Sequence, residues 1–179
     1  MTIVEMQGKI NSSATVASRD LTTVVGGGSA EDFVSDGTVV EITEESTKGY
    51  YDERFGKNAV YVLMARCEPD AKGKLVNTGE AVQVNLSIFD RRAAAYKKEA
   101  DGKVARDLTR KELITANGTA VNDWRKAPNA AQFMTNNKGK RIKFTLADTV
   151  TVRAWNATAK TFSETETREQ KIYNADWVE

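Results

Sequence analysis

The sequence predicts a mainly β domain with a helical insert, and three observations lead to this prediction. The stretches 37–44, 59–67 and 82–89 have strand-like patterns, residues 90–138 have the pattern of short helices, and residues 142–178 are strand-like again. Short connections favour antiparallel neighbours, and closure into a small barrel of about five strands hides the sheet edges. An OB-like barrel is the specific prediction, because that fold has a helix between its third and fourth strands. A β-sandwich and an α+β layer are the alternatives.

Residues 1–36 are polar and rich in Ser, Thr and Gly, with GGGS at 26–29. Their apolar residues are too scattered to build a core of their own. We therefore expect an N-terminal arm over 1–36, either disordered or ordered against a partner, followed by one domain over 37–179.

Three strand-like segments and one loop define the first half of the domain. GTVVEITE (37–44) predicts a strand, and AVYVLMARC (59–67) is apolar on both faces, which predicts a central strand. EPDAKGKLVNTGE (68–80) predicts a hairpin-like loop. VQVNLSIF (82–89) alternates with period 2, which predicts a strand with one buried face.

The insert at about 90–138 contains three helix-compatible stretches. The first, at 90–102, ends at a glycine, and the second, at 109–118, opens with a capping box and ends at Gly118. The third, at 127–139, has a proline near its start and Gly139 at its C-cap. Trp124 and Phe133, at helical spacing, are expected in the core.

The last two strands are the clearest in the sequence. RIKFTL (141–146) and VTVRAW (150–155) each alternate apolar and polar residues. NATAK (156–160) predicts a turn, and a long polar strand is expected over 161–178.

Composition argues against several classes of catalytic site. The chain has no His, which excludes His-based acid–base catalysis and the commonest metal ligand. The one cysteine, Cys67, excludes an internal disulfide and a cysteine-cluster zinc site, and its apolar surroundings predict a buried side chain. No phosphate-binding loop is present. We therefore expect a non-catalytic protein with no cofactor and no metal.

The sequence carries no targeting or spanning signal that we can recognise. The stretch at 1–13 lacks the basic start and apolar run of a signal peptide, and no run of about 18 apolar residues occurs. We expect no membrane association and a cytoplasmic location, which for a viral protein means the host cytoplasm or the virion.

A formal net charge of +1 hides a strong segregation of charge. Residues 1–56 hold ten acidic and four basic side chains, and residues 91–111 hold eight basic and three acidic ones. Residues 124–147 hold six basic side chains and no acidic one. This pattern predicts a basic face on a molecule of neutral total charge.

Aromatic residues are interleaved with these cations, a combination suited to single-stranded nucleic acid. Cations follow the phosphates, and aromatic rings stack on the bases. An ordinary solvated sheet face is the alternative interpretation of the same residues. The candidates for nucleic-acid binding are Phe89, Arg91, Arg92, Lys140, Arg141, Lys143, Arg153 and Trp155.

From residue 128 onward the chain resembles bacterial and phage single-stranded DNA-binding proteins, which have an OB fold. The shared pattern is a helix, a glycine before an alternating strand, an R-x-W stretch, a polar hairpin and a final aliphatic strand. In this sequence the corresponding residues are 128–138, Gly139, Ile142, Phe144, Arg153 to Trp155, 156–160 and 172–178. The resemblance implies an OB barrel, oligomerisation and binding to single strands without strong sequence preference.

Two other functions compete with this one. A structural assembly protein, such as a viral capsid, tail or connector component, would explain the polar arm at 1–36, the neutral charge and the lack of catalytic motifs. In that case the arm would contact a neighbouring subunit. An enzyme is the third class, but no pair of Asp or Glu residues has a spacing that singles it out.

Overall fold

The computed structural model describes residues 1–14, 33–48, 62–84 and 116–179 of the 179-residue chain. These parts form one five-stranded antiparallel sheet with short helices. The elements in chain order are α1 (Ile3–Ala14), β1 (Val39–Glu41), α2 (Glu44–Thr47), β2 (Val62–Pro69), β3 (Leu75–Val84), α3 (Thr119–Lys126), α4 (Ala130–Asn136), β4 (Arg141–Asn156) and β5 (Thr161–Val178).

The strands lie in the order β3-β2-β1-β4-β5, so the short β1 occupies the centre of the sheet. It pairs with β2 on one side and with β4 on the other, and both pairings are antiparallel. The mainly β class and the five strands are thus confirmed. In the described residues the sheet is open, with β3 and β5 at its edges, and the closed OB-like barrel stays a prediction.

One face of the sheet, called here the inner face, carries the main core. Alternate residues of each strand point to this face, among them Met64, Val82, Ile142 and Phe144, all with no exposed surface. The helices α3 and α4 cover the inner face. Trp124 of α3 and Phe133 of α4 are 0% and 1% exposed and meet edge to face at 5.5 Å. The expectation that these two aromatic residues belong to the core is confirmed.

The opposite, outer face is covered at one end by α1. Ile3 and Met6 pack there against Leu63, Ala65 and Ala81 of β2 and β3. The side chain of a further α1 residue, Gln7, donates to the carbonyl oxygen of Glu45 in α2. The start of the predicted arm therefore packs on the chain's own sheet, and the rest of that arm, up to residue 32, lies outside the described residues.

The strands of the first half differ from their predicted bounds. The hairpin expected at 68–80 is present, but its loop is shorter than predicted, because β2 continues to Pro69 and β3 begins at Leu75. The turn closes over five residues, because the Asp70 carboxylate accepts the amide hydrogens of Lys72 and Lys74. The strand predicted over 59–67 is described from Val62 onward as β2, an interior strand between β3 and β1, and its residues Val62 to Ala65 are buried on both faces.

The strand predicted over 82–89 begins earlier, and residues beyond Val84 lie outside the described part. Val82 and Val84 are buried on the inner face, as the alternation predicts. Gln83 between them was expected on an open face but is only 2% exposed. On this edge of the sheet β3 has an additional neighbour, because Phe33 forms a β-bridge with Gln83.

The prediction that Gly118 ends a helix is wrong, because Gly118 is the N-cap residue that precedes α3. Its φ of +129° is unfavourable for residues other than glycine, and the nearby backbone of Ala175 leaves no room for a side chain. Helix α4 begins later than predicted, because the side chain of Asn129 caps the amide of Gln132. The remaining helix predictions, at 90–102 and 109–115, lie outside the described residues.

The strands β4 and β5 form a hairpin much longer than the rest of the sheet. Their pairing runs from Arg141 opposite Val178 to Asn156 opposite Thr161, around a turn at 157–160. The predicted turn and the long last strand are both confirmed. Residues 149–156 of β4 and 161–171 of β5, called here the outer ribbon, extend beyond the other three strands.

Candidate nucleic-acid interface

The eight predicted binding residues are described to different extents. Phe89, Arg91 and Arg92 lie outside the described residues. Arg153 and Trp155 belong to β4 in the outer ribbon, where the backbone pairing is described but their side chains are not. The side chains of Lys140, Arg141 and Lys143 are described, and they have three different environments.

Arg141 is held inside the sheet by a polar network. Its Nε donates to the Glu41 carboxylate over 3.0 Å, and its Nη1 donates to the carbonyl oxygen of Leu75 over 3.0 Å. The other oxygen of Glu41 accepts a hydrogen bond of 2.9 Å from the side-chain amide of Asn77. Arg141 therefore connects β4 with β1 and with the start of β3, and its Nε and Nη1 already have acceptors.

Lys140 lies beside the helices that cover the inner face. Its ammonium group is 5.0 Å from the centre of the Trp177 ring and donates to the Asn137 side chain. Trp177 in turn stacks on Phe133 at 5.9 Å and donates from Nε1 to Asp123. Lys140 thus stabilises the junction of α4 and β5, away from Arg141 and Lys143.

Lys143 is exposed on the outer face, as the alternation with Ile142 and Phe144 predicts. It lies at the same level as Val39 of β1 and Cys67 of β2, on three adjacent strands. Within the described residues its ammonium group has no ion-pair partner. Of the three described candidates, Lys143 is the one whose charge is available to a ligand.

A cavity of about 430 Å³ opens next to Lys143, at the end of the sheet opposite α1. The basic residues Arg66 and Lys143 and the acidic residues Asp36 and Glu68 are part of its wall, with Cys67 at the base. Its size lies within the usual range of small-ligand sites. Burial raises the pKa of the Cys67 thiol against the opposing attraction of Arg141, so this thiol is protonated at neutral pH.

The charge segregation seen in the sequence is partly cancelled by the fold. Lys138 forms an ion pair of 2.7 Å with Glu44, and Arg141 forms one with Glu41. In both pairs an acidic residue of the first 56 positions meets a basic residue of the 124–147 segment. The hydrogen bond and charge of Lys138 lower the pKa of Glu44. The opposite charges of these two segments are visible in the sequence, but which residues form pairs depends on the fold.

Sequence reasoning missed Glu41, Asn77 and Arg66 as neighbours of the candidate site. Glu41 and Asn77 hold Arg141 in place, and Arg66 contributes to the cavity wall. Only the strand register brings these residues together, and the register cannot be read from any of the separate segments.

No other kind of site is found in the parts of the chain that the structure describes. Residues 1–14, 33–48, 62–84 and 116–179 contain no group of three or more Cys, Asp or Glu side chains arranged to hold a metal ion. Within the same ranges no helix has the length and apolar character that crossing a membrane requires.

Comparison with known proteins identifies no relative of this chain. The chain matches no protein-family model, no curated protein and no solved structure. Its function is therefore inferred from its residues and its fold.

Proposed function

We propose that this protein binds single-stranded nucleic acid, without catalysis, on the outer face of an OB-like sheet. The strand order is the observation that carries the proposal. An OB barrel pairs strand 1 with strands 2 and 4, strand 2 with 3, strand 4 with 5, and closes between 3 and 5. The first four pairings are those of the order β3-β2-β1-β4-β5, and the edges β3 and β5 are the two strands that closure would join.

The helices support the same assignment. In the described residues, α3 and α4 lie between the third and fourth strands and pack on the core of the sheet, as the helix of an OB fold does. Gly139, with a φ of +87°, ends the turn from α4 into β4 and donates to the carbonyl oxygen of Ile42. This helix–glycine–strand sequence is the part that resembles the single-stranded DNA-binding proteins.

OB modules bind oligonucleotides on the face of strands 2 and 3 and with the connections 1–2 and 4–5. Here α1 covers that face at Leu63, Ala65 and Ala81. Beyond α1 the same face passes Cys67 and Val39, which are 4% and 8% exposed, and reaches the exposed Lys143 beside the cavity. A single strand on this path would pass from the cavity to the outer ribbon, which is the 4–5 connection.

Fluorescence-anisotropy titration with labelled oligo-dT, at a series of salt concentrations, tests the proposal. We expect binding that weakens steeply with salt, because bound phosphates release counterions. Lys143→Ala removes one contact and should lower the slope of log K against log salt by about 0.7. Lys126→Ala is the matched control, because Lys126 is exposed at the end of α3 on the inner-face side.

Trp155→Ala tests the predicted stacking. Loss of one stacked base costs about 1–3 kcal/mol, so affinity should fall by roughly 5-fold to 150-fold with little change in the salt slope. Arg153, Phe89, Arg91 and Arg92 stay predictions of the same groove. Absence of binding by the parent protein at micromolar concentration would overturn the proposal.

The alternative function, structural assembly through the N-terminal arm, has less support. Ile3 and Met6 at the start of that arm are buried against the chain's own β2 and β3. A segment used in this way is not free to reach a neighbouring subunit without first leaving the sheet.

A further inference from the structure

The outer ribbon has a backbone edge that the rest of the sheet does not cover. Along residues 141–146 the far side of β4 is occupied by β1, by Gly37 and Thr38, which bond to Phe144, and by the Asp36 carboxylate, which accepts from the amide of Leu146. From Asp148 onward, β4 pairs only with β5 among the described residues. Two strands alone are marginally stable in water, and an open edge invites another strand.

A β-bulge decides which residues form this edge. Leu146 is opposite Tyr173 and Asp148 is opposite Ile172, so Ala147 is an extra residue on β4.

On β5, Ala175 and Trp177 direct their amides away from β4, to Asn117 and Thr119. Since backbone groups alternate along a strand, residues 168, 170 and 172 of β5 face β4, and their partners 152, 150 and 148 face β5. Thr149, Thr151 and Arg153 therefore form the edge of β4 that has no pairing partner among the described residues.

The two edges of the outer ribbon differ in composition. The β4 edge runs through Thr149, Val150, Thr151 and Val152, which are all β-branched and uncharged. The β5 edge over 166–171 carries two acidic and two basic side chains. Charges and prolines are the usual devices that keep an edge strand from pairing, and the β4 edge lacks both over these four residues.

We propose that two copies of this chain associate through the β4 edge, in an antiparallel pairing centred on Thr151. The backbone amide and carbonyl groups that face away from β5 belong to odd-numbered residues. In a pairing between two copies, each odd-numbered residue must therefore lie opposite an odd-numbered residue of the other copy. Centring on Thr151 sets Thr149 opposite Arg153 of the second copy and Val150 opposite Val152. Asp148 then lies opposite Ala154, so no charge faces a like charge.

The neighbouring allowed registers form fewer pairs between valines. Centring on Val150 leaves Val152 opposite Asp148, and centring on Val152 leaves Val150 opposite Ala154. Only the register centred on Thr151 sets each of the two valines opposite a valine of the second copy. The two-fold symmetric contact is self-complementary and closed, so it produces a dimer and no further growth.

Proline substitution tests the edge. Thr151→Pro removes an outward amide, which an edge strand tolerates, so the monomer should fold while the dimer is lost. Thr167→Pro is the matched control, because residue 167 is opposite Arg153 and lies on the other edge of the same ribbon. Sedimentation equilibrium should show a concentration-dependent dimer for the parent and for Thr167→Pro, and a monomer for Thr151→Pro with an unchanged far-UV CD spectrum.

Disulfide trapping tests the register without relying on a proline variant. In a Cys67→Ala background, Thr151→Cys sets two cysteines opposite each other at a Cα separation of about 5.5 Å, which a disulfide can span. Thr149→Cys sets its copies about 13 Å apart, since they are four residues out of register. Mild oxidation should cross-link the first variant and not the second. A parent protein that is monomeric up to about 100 μM, or equal cross-linking of both variants, would contradict the proposal.

Discussion

The guanidinium group of Arg141 lies 3.0 Å from the carboxylate of Glu41, across the junction of the fourth and the first strand and one hundred residues apart in the chain. Both side chains are largely covered, at 27% and 20% exposure, and Arg141 also bonds to the carbonyl oxygen of Leu75. These contacts join β4 to β1 and to the start of β3.

Arg141→Met should destabilise the sheet, because it removes the hydrogen bonds that Arg141 donates to the Glu41 carboxylate and to the carbonyl oxygen of Leu75. Hydrogen bonds to charged groups contribute about 1.5–3 kcal/mol each, and partial exposure reduces this to an expected loss of about 1–3 kcal/mol. Urea unfolding measures the change. Lys138→Met is the control, since it breaks the exposed pair with Glu44 and should leave the midpoint nearly unchanged.

Gly118→Ala should be far more damaging than its size suggests. A Cβ at this position would collide with the carbonyl oxygen of Ala175, and the φ of +129° is unfavourable for any other residue. We expect a loss of about 3 kcal/mol or more in the free energy of unfolding.

Gly73→Ala provides the comparison for this substitution. Its φ of +78° is also positive, but no atom lies within 4 Å of the added Cβ. The expected cost is the conformational strain alone, about 1–2 kcal/mol. Equal losses for the two variants would show that contact with β5 does not matter at Gly118.

The packing of α1 can be tested on two residues of the same helix. Met6 is 4% exposed against β2 and β3, whereas Val4 is 58% exposed. Met6→Ala should cost about 2–4 kcal/mol, and Val4→Ala should change stability by no more than about 0.5 kcal/mol. Thermal unfolding followed by CD distinguishes these values, and a harmless Met6→Ala would mean that α1 does not stabilise the sheet.

The carboxyl group of Glu44 should titrate below its ordinary range. Lys138 lowers the pKa of Glu44 through a hydrogen bond and through its charge. Because the pKa is lower in the folded state, the ionised form stabilises the fold at neutral pH, and this contribution is lost as the pH falls through the lowered value.

A ¹³C NMR titration of the Glu44 carboxyl measures the shift directly. In Lys138→Met the pKa should return toward that of a free glutamate, while Lys126→Met should leave it unchanged. An identical titration curve in all three proteins would rule out the pair in solution.

The sequence could predict what depends on local pattern. The alternation of Ile142, Lys143 and Phe144 gave the correct faces for all three, and Lys143 is exposed as expected. Gly118 was misread because its role depends on Ala175, which follows 57 positions later. A glycine after a helix-like stretch has the same local signature whether it ends one helix or precedes the next.

The candidate site was predictable in the same uneven way. Period 2 puts Arg141 and Lys143 on one face, but it cannot tell that Glu41 already binds the first of them. The basic face expected from residues 124–147 is reduced by partners from the acidic segment that precedes β2. Pairing between distant segments determines which charges are left for a ligand.

The shortest strand of the sheet, β1, is also the one that joins its two halves. The hairpins β2–β3 and β4–β5 connect neighbours in the chain, and such hairpins form in about 1–10 μs. The β1–β4 pairing must instead close a loop of about one hundred residues, a type of contact that slows folding to about milliseconds to seconds. We therefore expect both hairpins to form before the three residues of β1 enter between them. In such an intermediate the inner edges of β2 and β4 would both be exposed, so refolding yield should fall as protein concentration rises.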